Sequence, residues 1–199
     1  MLFRQLYIVL LVVCGVVLWC VPAMAQGEEL GEVEGHVSSA KGRKKKAKKG
    51  GAQESRGVVA RALGNFDVYN GKVNLKADYY IFLYSASWCL YCRECMPVAV
   101  DEYKKIRRSR KVELVLICGD KTEGEAKNYV RAYKGKMPYL MFDALKATNF
   151  QGIPGCGMPG FPAVSVADKD GTLIKSVVGA GQVQEVLSNW KDYTVSGKR

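Results

Sequence analysis

The sequence predicts an α/β fold in which helices flank a central β-sheet of mixed strand directions. Residues 79–84 and 112–118 are continuous runs rich in aromatic and aliphatic side chains, a pattern typical of strands buried on both faces of a sheet. Residues 92–108 between them have helical composition, and basic side chains occupy the last turns, where cations suit the helix dipole. These segments form a strand–helix–strand unit.

Two further helices are predicted downstream. The first spans 122–134, with Thr122 as its N-cap and Glu125 at the spacing of a capping box. The second spans 182–190, where apolar side chains recur at helical spacing. We expect this last helix to close the domain.

A β-hairpin is predicted between those two helices. Apolar and polar residues alternate over 163–167 and 173–178, and the Asp-Lys-Asp-Gly sequence at 168–171 is typical of a tight turn. Because a strand–helix–strand unit and a hairpin both contribute strands, we expect a sheet of mixed directions.

The 199 residues are enough for one domain with an extension. Hydrophobic residues make up 48% of the chain and charged residues 25%, which is ordinary globular usage and excludes disorder throughout. We expect a signal peptide at 1–25, a disordered Lys-rich linker at 26–56 and a folded domain at 57–199.

The first 25 residues have the pattern of a secretory signal. Arg4 precedes an apolar run from Leu6 to Val21, and Ala23-Met24-Ala25 is a small-x-small ending that predicts cleavage before Gln26. An uncleaved membrane anchor is the alternative, although the 16-residue run is shorter than the roughly 20 residues that span a bilayer. Export would make the protein periplasmic or secreted. Either location is an oxidising compartment, in which disulfides persist.

The net charge of +11 is concentrated in two places. Seven basic residues within 41–49 form a run that buries no apolar surface, and this tail is suited to anionic membrane surfaces. The second cluster, at 104–111, is interpreted as a solvated helix end. An exported protein meets little nucleic acid, so no nucleic-acid partner is predicted.

His36 is the only histidine, and it is far from the cysteines in the sequence. Cys-His proteases and Ser-His-Asp hydrolases therefore lack their usual base. Any cysteine chemistry of this chain has to work without imidazole.

A Cys-x-x-Cys pair, Cys89 and Cys92, directly follows the first strand. At the first turn of a helix this spacing brings the two sulfurs close enough for a disulfide. Unpaired N–H groups at the helix start favour the thiolate of Cys89, and Cys92 is placed to resolve a mixed disulfide. A permanent disulfide or half of a zinc site are the alternatives.

Several motifs in one order along residues 66–192 resemble the thioredoxin-like superfamily, most nearly its tryparedoxin and nucleoredoxin branch. The approach to the cysteine pair at 83–89, the strand and acidic turn at 115–120, and the loop, strand and turn at 160–171 are each similar to family segments. Pro97 stands where the family kinks its active-site helix.

The resemblance implies a thioredoxin fold and a set of site residues. Cys89 is implied as the nucleophile and Cys92 as the resolving thiol. A cis Phe161–Pro162 bond is expected to face them, with Phe161 pairing with substrate backbone as an added strand would. Trp88 completes the expected substrate-binding residues. The family implies no cofactor.

The sequence departs from the family pattern in three places near the site. Leu90-Tyr91 replaces the Gly-Pro, Pro-Pro or Pro-His dipeptides familiar between such cysteines. Leu83 replaces a buried aspartate of thioredoxins, so proton transfer is expected to use water or an acid such as Glu94. A Gly-rich insert at 152–160 precedes the proline loop. Pro159 and Pro162 are the two candidates for the proline that faces the cysteine pair. Pro162 is preferred because a strand begins directly after it.

Three other cysteines belong to the predicted domain. Cys95 and Cys118 are interpreted as core residues. Cys156 lies in the Gly-rich insert, where we expect an exposed thiol. It is interpreted as an inert loop thiol, with an auxiliary resolving thiol or an intermolecular partner as the alternative. No metal site is predicted, because a Cys-x-x-Cys-x-x-Cys sequence on one helix is poorly suited to the tetrahedral coordination of zinc.

The functional hypothesis is an exported thiol-disulfide oxidoreductase, a reductase or isomerase of envelope proteins. Its expected partners are protein or small-molecule disulfides and an unidentified redox partner. A non-catalytic binding module that uses the basic tail and the proline groove is the alternative. A metal carrier is a further alternative.

Overall fold

The computed structural model describes residues 57–157 and 160–195. The predicted signal peptide at 1–25, the linker at 26–56 and Pro159 lie outside the described residues. Within the described part of the chain, none of the helices is both long and apolar enough to cross a membrane.

The described residues form six helices and five strands. The helices are α1 Val58–Leu63, α2 Leu90–Ser109, α3 Glu123–Ala132, α4 Phe142–Lys146, α5 Ala180–Ser188 and α6 Trp190–Tyr193. The strands are β1 Tyr79–Ser85, β2 Val112–Cys118, β3 Tyr139–Met141, β4 Ala163–Asp168 and β5 Leu173–Val178.

The strands make one mixed sheet in the order β3-β2-β1-β4-β5. β1 is parallel to β2, with Tyr79 opposite Val112, and β2 is parallel to β3. β4 is antiparallel to both β1 and β5. The predicted α/β fold with a mixed sheet flanked by helices is confirmed.

The two faces of the sheet carry separate hydrophobic clusters, which explains the continuous apolar run of β1. Ile81 and Leu83 belong to the cluster that includes α2, α3 and α5. Tyr80, Phe82 and Tyr84 belong to the opposite cluster, with α1 and the Gly-rich insert. A strand buried on both faces lacks the alternation of a half-exposed strand.

The capping box at α3 is present as predicted: Thr122 Oγ1 accepts from the Glu125 amide at 3.2 Å, and the Glu125 carboxylate accepts from the Thr122 amide, also at 3.2 Å. The closing helix has nine residues, as predicted, but lies two positions earlier, from Ala180 to Ser188. It ends at Ser188, because Asn189 leaves the helical conformation with φ −108° and ψ 26°, and α6 follows as a separate turn.

Three short elements, α1, β3 and α4, were not predicted. Each has three to six residues, fewer than a periodic pattern needs to be recognised. β3 is held at the sheet edge by tertiary contacts: the amide of Tyr69 donates to the Tyr139 carbonyl at 2.9 Å, and their rings stack at 5.3 Å.

Candidate functional site

Cys89 is the N-cap residue of α2. Its backbone is extended, with φ −90° and ψ 115°, and its sulfur accepts a hydrogen bond from the Cys92 amide at 3.3 Å. The amides of a helix start have no partner within the helix, so they favour negative charge on this sulfur. Cys89 is 8% exposed, so it lies at the surface end of the pair.

Cys92 lies beneath Cys89 and is fully buried. Burial raises the pKa of its thiol to about 12, and the hydrogen bond with Cys89 acts in the same direction, whereas the Ala86 backbone and the Ser85 hydroxyl oppose the rise. Cys92 is therefore protonated at neutral pH and has to lose a proton before it attacks.

A pair of buried hydroxyl groups adjoins Cys92. Ser85, the last residue of β1, and Tyr129 on α3 share a hydrogen bond of 2.7 Å. Ser85 also interacts with the Cys92 thiol. Sequence reasoning missed this pair, because the two residues are 44 positions apart and no local pattern joins them.

The acid suggested by the sequence does not lie in this buried region. Glu94 is exposed on α2. Leu83 packs into the apolar cluster below the site. In the described structure, the Ser85 hydroxyl interacts with the Cys92 thiol, and the Tyr129 hydroxyl is hydrogen-bonded to Ser85.

The loop before β4 closes over the cysteine pair. The Phe161–Pro162 bond is cis, and the Cys89 sulfur lies 3.7 Å from the Phe161 carbonyl oxygen. Phe161 packs with Ala86, Cys89 and Cys92 in one small cluster. The tertiary fold thus brings together the cysteine pair and the loop that the sequence placed about 70 residues away.

Trp88 forms an exposed rim beside the pair. Its side chain is 62% exposed, its indole N–H donates to the Gly119 carbonyl at 3.0 Å, and its ring meets Phe161 edge-on at 5.6 Å. Leu90 and Tyr91, which separate the two cysteines, are also exposed. Exposed apolar side chains therefore flank Cys89 along the chain.

Gly119 allows Phe161 to approach the sheet. A Cβ atom at position 119 would lie 2.6 Å from the Phe161 ring, a distance that real side chains do not tolerate. The ring is held between this glycine, Trp88 and Phe142, whose ring centroid lies 5.2 Å away.

Asp120 braces the loop that precedes Cys89. Its carboxylate is buried and accepts hydrogen bonds from the Ser87 amide at 3.0 Å and the Ser87 hydroxyl at 2.6 Å. The Cys118 thiol donates to its other oxygen at 3.0 Å. The sequence indicated an acidic turn here, but these contacts depend on the sheet.

A family model described as Thioredoxin-like matches residues 77–173, the range that contains β1, the cysteine pair and the proline loop. The described domain is thioredoxin-like. The superfamily predicted from the motifs is therefore confirmed.

Three curated relatives match parts of this thioredoxin-like chain. Thiol-disulfide oxidoreductase ResA of Bacillus cereus is 30% identical over 104 residues, covering 52% of this chain and 56% of the relative. Nucleoredoxin of Xenopus laevis is 31% identical, covering 50% and 24%. Tryparedoxin of Trypanosoma brucei brucei is 43% identical over 61 residues, covering 30% and 40%. The chain spans about half or less of the length of these relatives.

Two of the relatives carry the names of the predicted branch. Nucleoredoxin and tryparedoxin are both matched, which supports the assignment to that part of the thioredoxin-like superfamily.

The expected exposure of Cys156 is wrong. Cys156 is 1% exposed, and its sulfur lies 2.8 Å from the Tyr84 hydroxyl. The Gly-rich insert packs on the sheet: Gly155 has φ +75°, and a Cβ there would meet Ala167 at 2.5 Å. Burial raises the pKa of Cys156 to about 12. The hydrogen bond with Tyr84 acts in the opposite direction, but its effect on the pKa is smaller.

Cys95 and Cys118 are core residues of the thioredoxin-like domain, as predicted. Both are fully buried and belong to the cluster below the cysteine pair. The Cys95 thiol lies 3.6 Å from the Ala180 carbonyl, between α2 and α5. Among the described residues, no group of three or more His, Cys, Asp or Glu side chains is arranged to hold a metal ion.

Proposed function

We propose that the protein is an exported thiol-disulfide oxidoreductase, a reductase or isomerase of envelope proteins. The observation that carries the proposal is the position of the Cys89 sulfur. It lies at the start of α2, above the buried Cys92 and 3.7 Å from the Phe161 carbonyl oxygen. A thiol at the surface end of the pair, above a fully buried one, is the arrangement that sequential disulfide exchange needs.

In the first step the Cys89 thiolate attacks one sulfur of a substrate disulfide. A bond forms between Cys89 and that sulfur, and the other substrate sulfur leaves as a thiolate that takes up a proton. The Cys92 amide, 3.3 Å from the Cys89 sulfur, stabilises the negative charge before the attack.

In the second step Cys92 resolves the mixed disulfide. Its proton passes to water, directly or by relay through the Ser85 and Tyr129 hydroxyls, and its sulfur attacks the Cys89 sulfur of the mixed disulfide. The Cys89–Cys92 disulfide forms and the second substrate thiol is released. Two electrons pass from the protein to the substrate, so a redox partner with a dithiol has to reduce the protein again.

Substrate binding uses the surface around Cys89. The Phe161 carbonyl beside the sulfur is an acceptor for an extended substrate backbone. Trp88, Leu90 and Tyr91 are 57–62% exposed, and they supply apolar contact area next to the cysteine pair. We infer that the substrate presents its disulfide in an extended segment with apolar neighbours.

The cellular setting rests on the N-terminal sequence. The segment 1–25 has the pattern of a secretory signal, and the basic run within 41–49 suits an anionic membrane surface. Relatives named as a thiol-disulfide oxidoreductase, a nucleoredoxin and a tryparedoxin support the chemistry. Envelope proteins are thus the proposed substrate class.

Reduction of insulin disulfides with dithiothreitol as electron donor tests the activity. We expect turnover by the wild type and none by Cys89→Ser. Cys156→Ser is the matched control, because it removes a thiol that is buried away from the pair, and it should keep the activity. A wild-type rate equal to that of Cys89→Ser would overturn the proposal and favour the non-catalytic binding module.

A further inference from the structure

A surface cavity of about 410 Å³ lies between the second half of α2 and the loop after α3. Its polar lining is entirely cationic apart from one tyrosine. The five cations are Lys104, Arg107, Arg108, Lys134 and Lys136. This concentration of one charge around a single cavity distinguishes it from a helix end that is merely solvated.

Most of these charges have no acidic partner. Lys104 pairs with Asp101 at 2.8 Å. Arg108, Lys134 and Lys136 make no ion pair with any carboxylate of the described residues. Cations held close together without counter-charges produce a positive potential, which attracts an anion and is relieved when one binds.

Both walls of the cavity are held in place. Arg107 and Arg108 belong to the last turn of a 20-residue helix. The opposite loop is held by Asn70, whose side-chain amide donates to the carbonyls of Gly135 at 3.3 Å and Met137 at 2.9 Å. A preorganised site loses less entropy when a ligand binds.

The floor of the cavity is apolar. Val100 and Tyr103 line it and are 8% and 7% exposed. Arginine guanidinium groups and lysine ammonium groups together can donate hydrogen bonds to the several oxygens of a phosphate group. The apolar floor suits the carbon part of an ester. We propose that this cavity binds the phosphate group of a phosphate ester.

A neighbouring cavity serves as an internal comparison. It has about 350 Å³, shares Tyr103 and Arg107 with the first, and is also lined by Lys72 and Lys76. Unlike the first cavity, it contains the carboxyl group of Glu113, which accepts hydrogen bonds from the amides of Asn74 at 2.7 Å and Leu114 at 3.0 Å. A carboxylate disfavours a second anion, so the phosphate site is the first cavity.

The cavity is separate from the redox site. Arg107 is 18 residues from Cys89 along α2, which corresponds to about 27 Å at the helical rise of about 1.5 Å per residue. Substitutions in the cavity therefore leave the cysteine pair intact. Ligand binding and insulin reduction test the two proposals independently.

Titration of the full-length protein with glycerol 1-phosphate, at an ionic strength of about 0.15 M, tests the site. Sedimentation with phosphatidylcholine vesicles, with and without phosphatidylglycerol, presents the same phosphate chemistry in a lipid headgroup. Binding of glycerol 1-phosphate would indicate a soluble ester, and binding to the phosphatidylglycerol vesicles alone would indicate a headgroup.

The cavity variant is Arg108→Ala/Lys136→Ala, and the matched control is Lys72→Ala/Lys76→Ala, which removes the same charge from the neighbouring cavity. We expect the cavity variant to lose affinity about tenfold or more, because it lacks two charge-assisted contacts, and the control to change less than about twofold. Both variants should keep the wild-type melting temperature and insulin reduction.

Three results would overturn the proposal. The first is the absence of saturable binding to either probe. The second is an equal loss in both double variants, which would show attraction by general charge alone. The third is vesicle binding that neither variant weakens, which would place the contact in the basic run within 41–49.

Discussion

The sulfur of Cys89 lies 3.7 Å from the carbonyl oxygen of Phe161, a residue 72 positions later in the chain. In the proposed mechanism, this approach gives a substrate disulfide one face on which it meets both the attacking sulfur and a backbone acceptor. The exposed ring of Trp88 borders the same face. The contact therefore joins the proposed nucleophile to the proposed substrate groove.

The two cysteines should have separable roles. We expect Cys92→Ser to accumulate mixed disulfides with substrates, since Cys89 still attacks and no thiol resolves the product. Cys89→Ser should accumulate none, because Cys92 is fully buried. Non-reducing electrophoresis after acid quenching, followed by mass spectrometry, measures the trapped species. Equal trapping by both variants would show that the assigned roles are wrong.

Tyr129→Phe should slow the resolving step. The change removes the hydroxyl that hydrogen-bonds Ser85 at 2.7 Å and so weakens the proposed path for the Cys92 proton. We expect collapse of the mixed disulfide to slow by about tenfold near neutral pH, a modest effect for proton transfer. Formation of the mixed disulfide by Cys89 should be unchanged. Rapid-quench kinetics separate the two steps.

The pH profile distinguishes this role from a structural one. The pKa of Cys92 is raised to about 12, so the thiolate fraction and the rate of collapse should rise with pH from about 7 to 9. The deficit of Tyr129→Phe should shrink as the pH rises. Tyr133→Phe is the control, because its ring packs on Tyr129 at 5.6 Å. A deficit independent of pH would exclude a proton-transfer role.

Asp120→Ala should destabilise the loop before Cys89. The substitution removes the acceptor of two hydrogen bonds from Ser87 and one from Cys118. We expect the free energy of unfolding to fall by about 2–4 kcal/mol, as for buried hydrogen bonds to a charged group. Urea denaturation measures this fall. The exposed Asp101→Ala should cost far less, and equal losses would contradict the bracing role.

The buried thiol of Cys156 should make the stability of the reduced protein depend on alkaline pH. Its pKa is about 12 in the folded state and about 8.5 when unfolded, so the unfolded chain ionises first as the pH rises. The buried thiol contributes its full stabilisation below the unfolded pKa and loses it as the pH rises toward the folded pKa. Between about pH 8 and pH 10 the free energy of unfolding should fall by about 2 kcal/mol from this group.

Cys156→Ala removes this contribution while the Tyr84 hydroxyl keeps its bond to the carbonyl of residue 156, at 2.9 Å. Denaturation under reducing conditions at a series of pH values should therefore give a shallower decline for the variant than for the wild type. Parallel curves for the two proteins would contradict the buried state of this thiol.

Elements whose signals are local could be predicted from the residue pattern alone. The two apolar strands, the capping box of α3 and the turn between β4 and β5 occur where their residue patterns predict them. Each signal is complete within a few residues: side-chain periodicity, an N-cap, or a turn sequence. The Cys-x-x-Cys pair belongs to this class, because its spacing on a helix start sets the approach of its sulfurs.

Contacts between distant parts of the chain could not be predicted from the residue pattern, because they form only when the elements pack together. Phe161 meets Cys89 because β1 and β4 are antiparallel neighbours in the sheet. Ser85 meets Tyr129 because α3 packs on the sheet in the same hydrophobic cluster as β1. Cys156 is buried because the Gly-rich insert covers the second face of the sheet. Such contacts depend on packing between segments about 40–70 residues apart, and no periodicity within one segment encodes them.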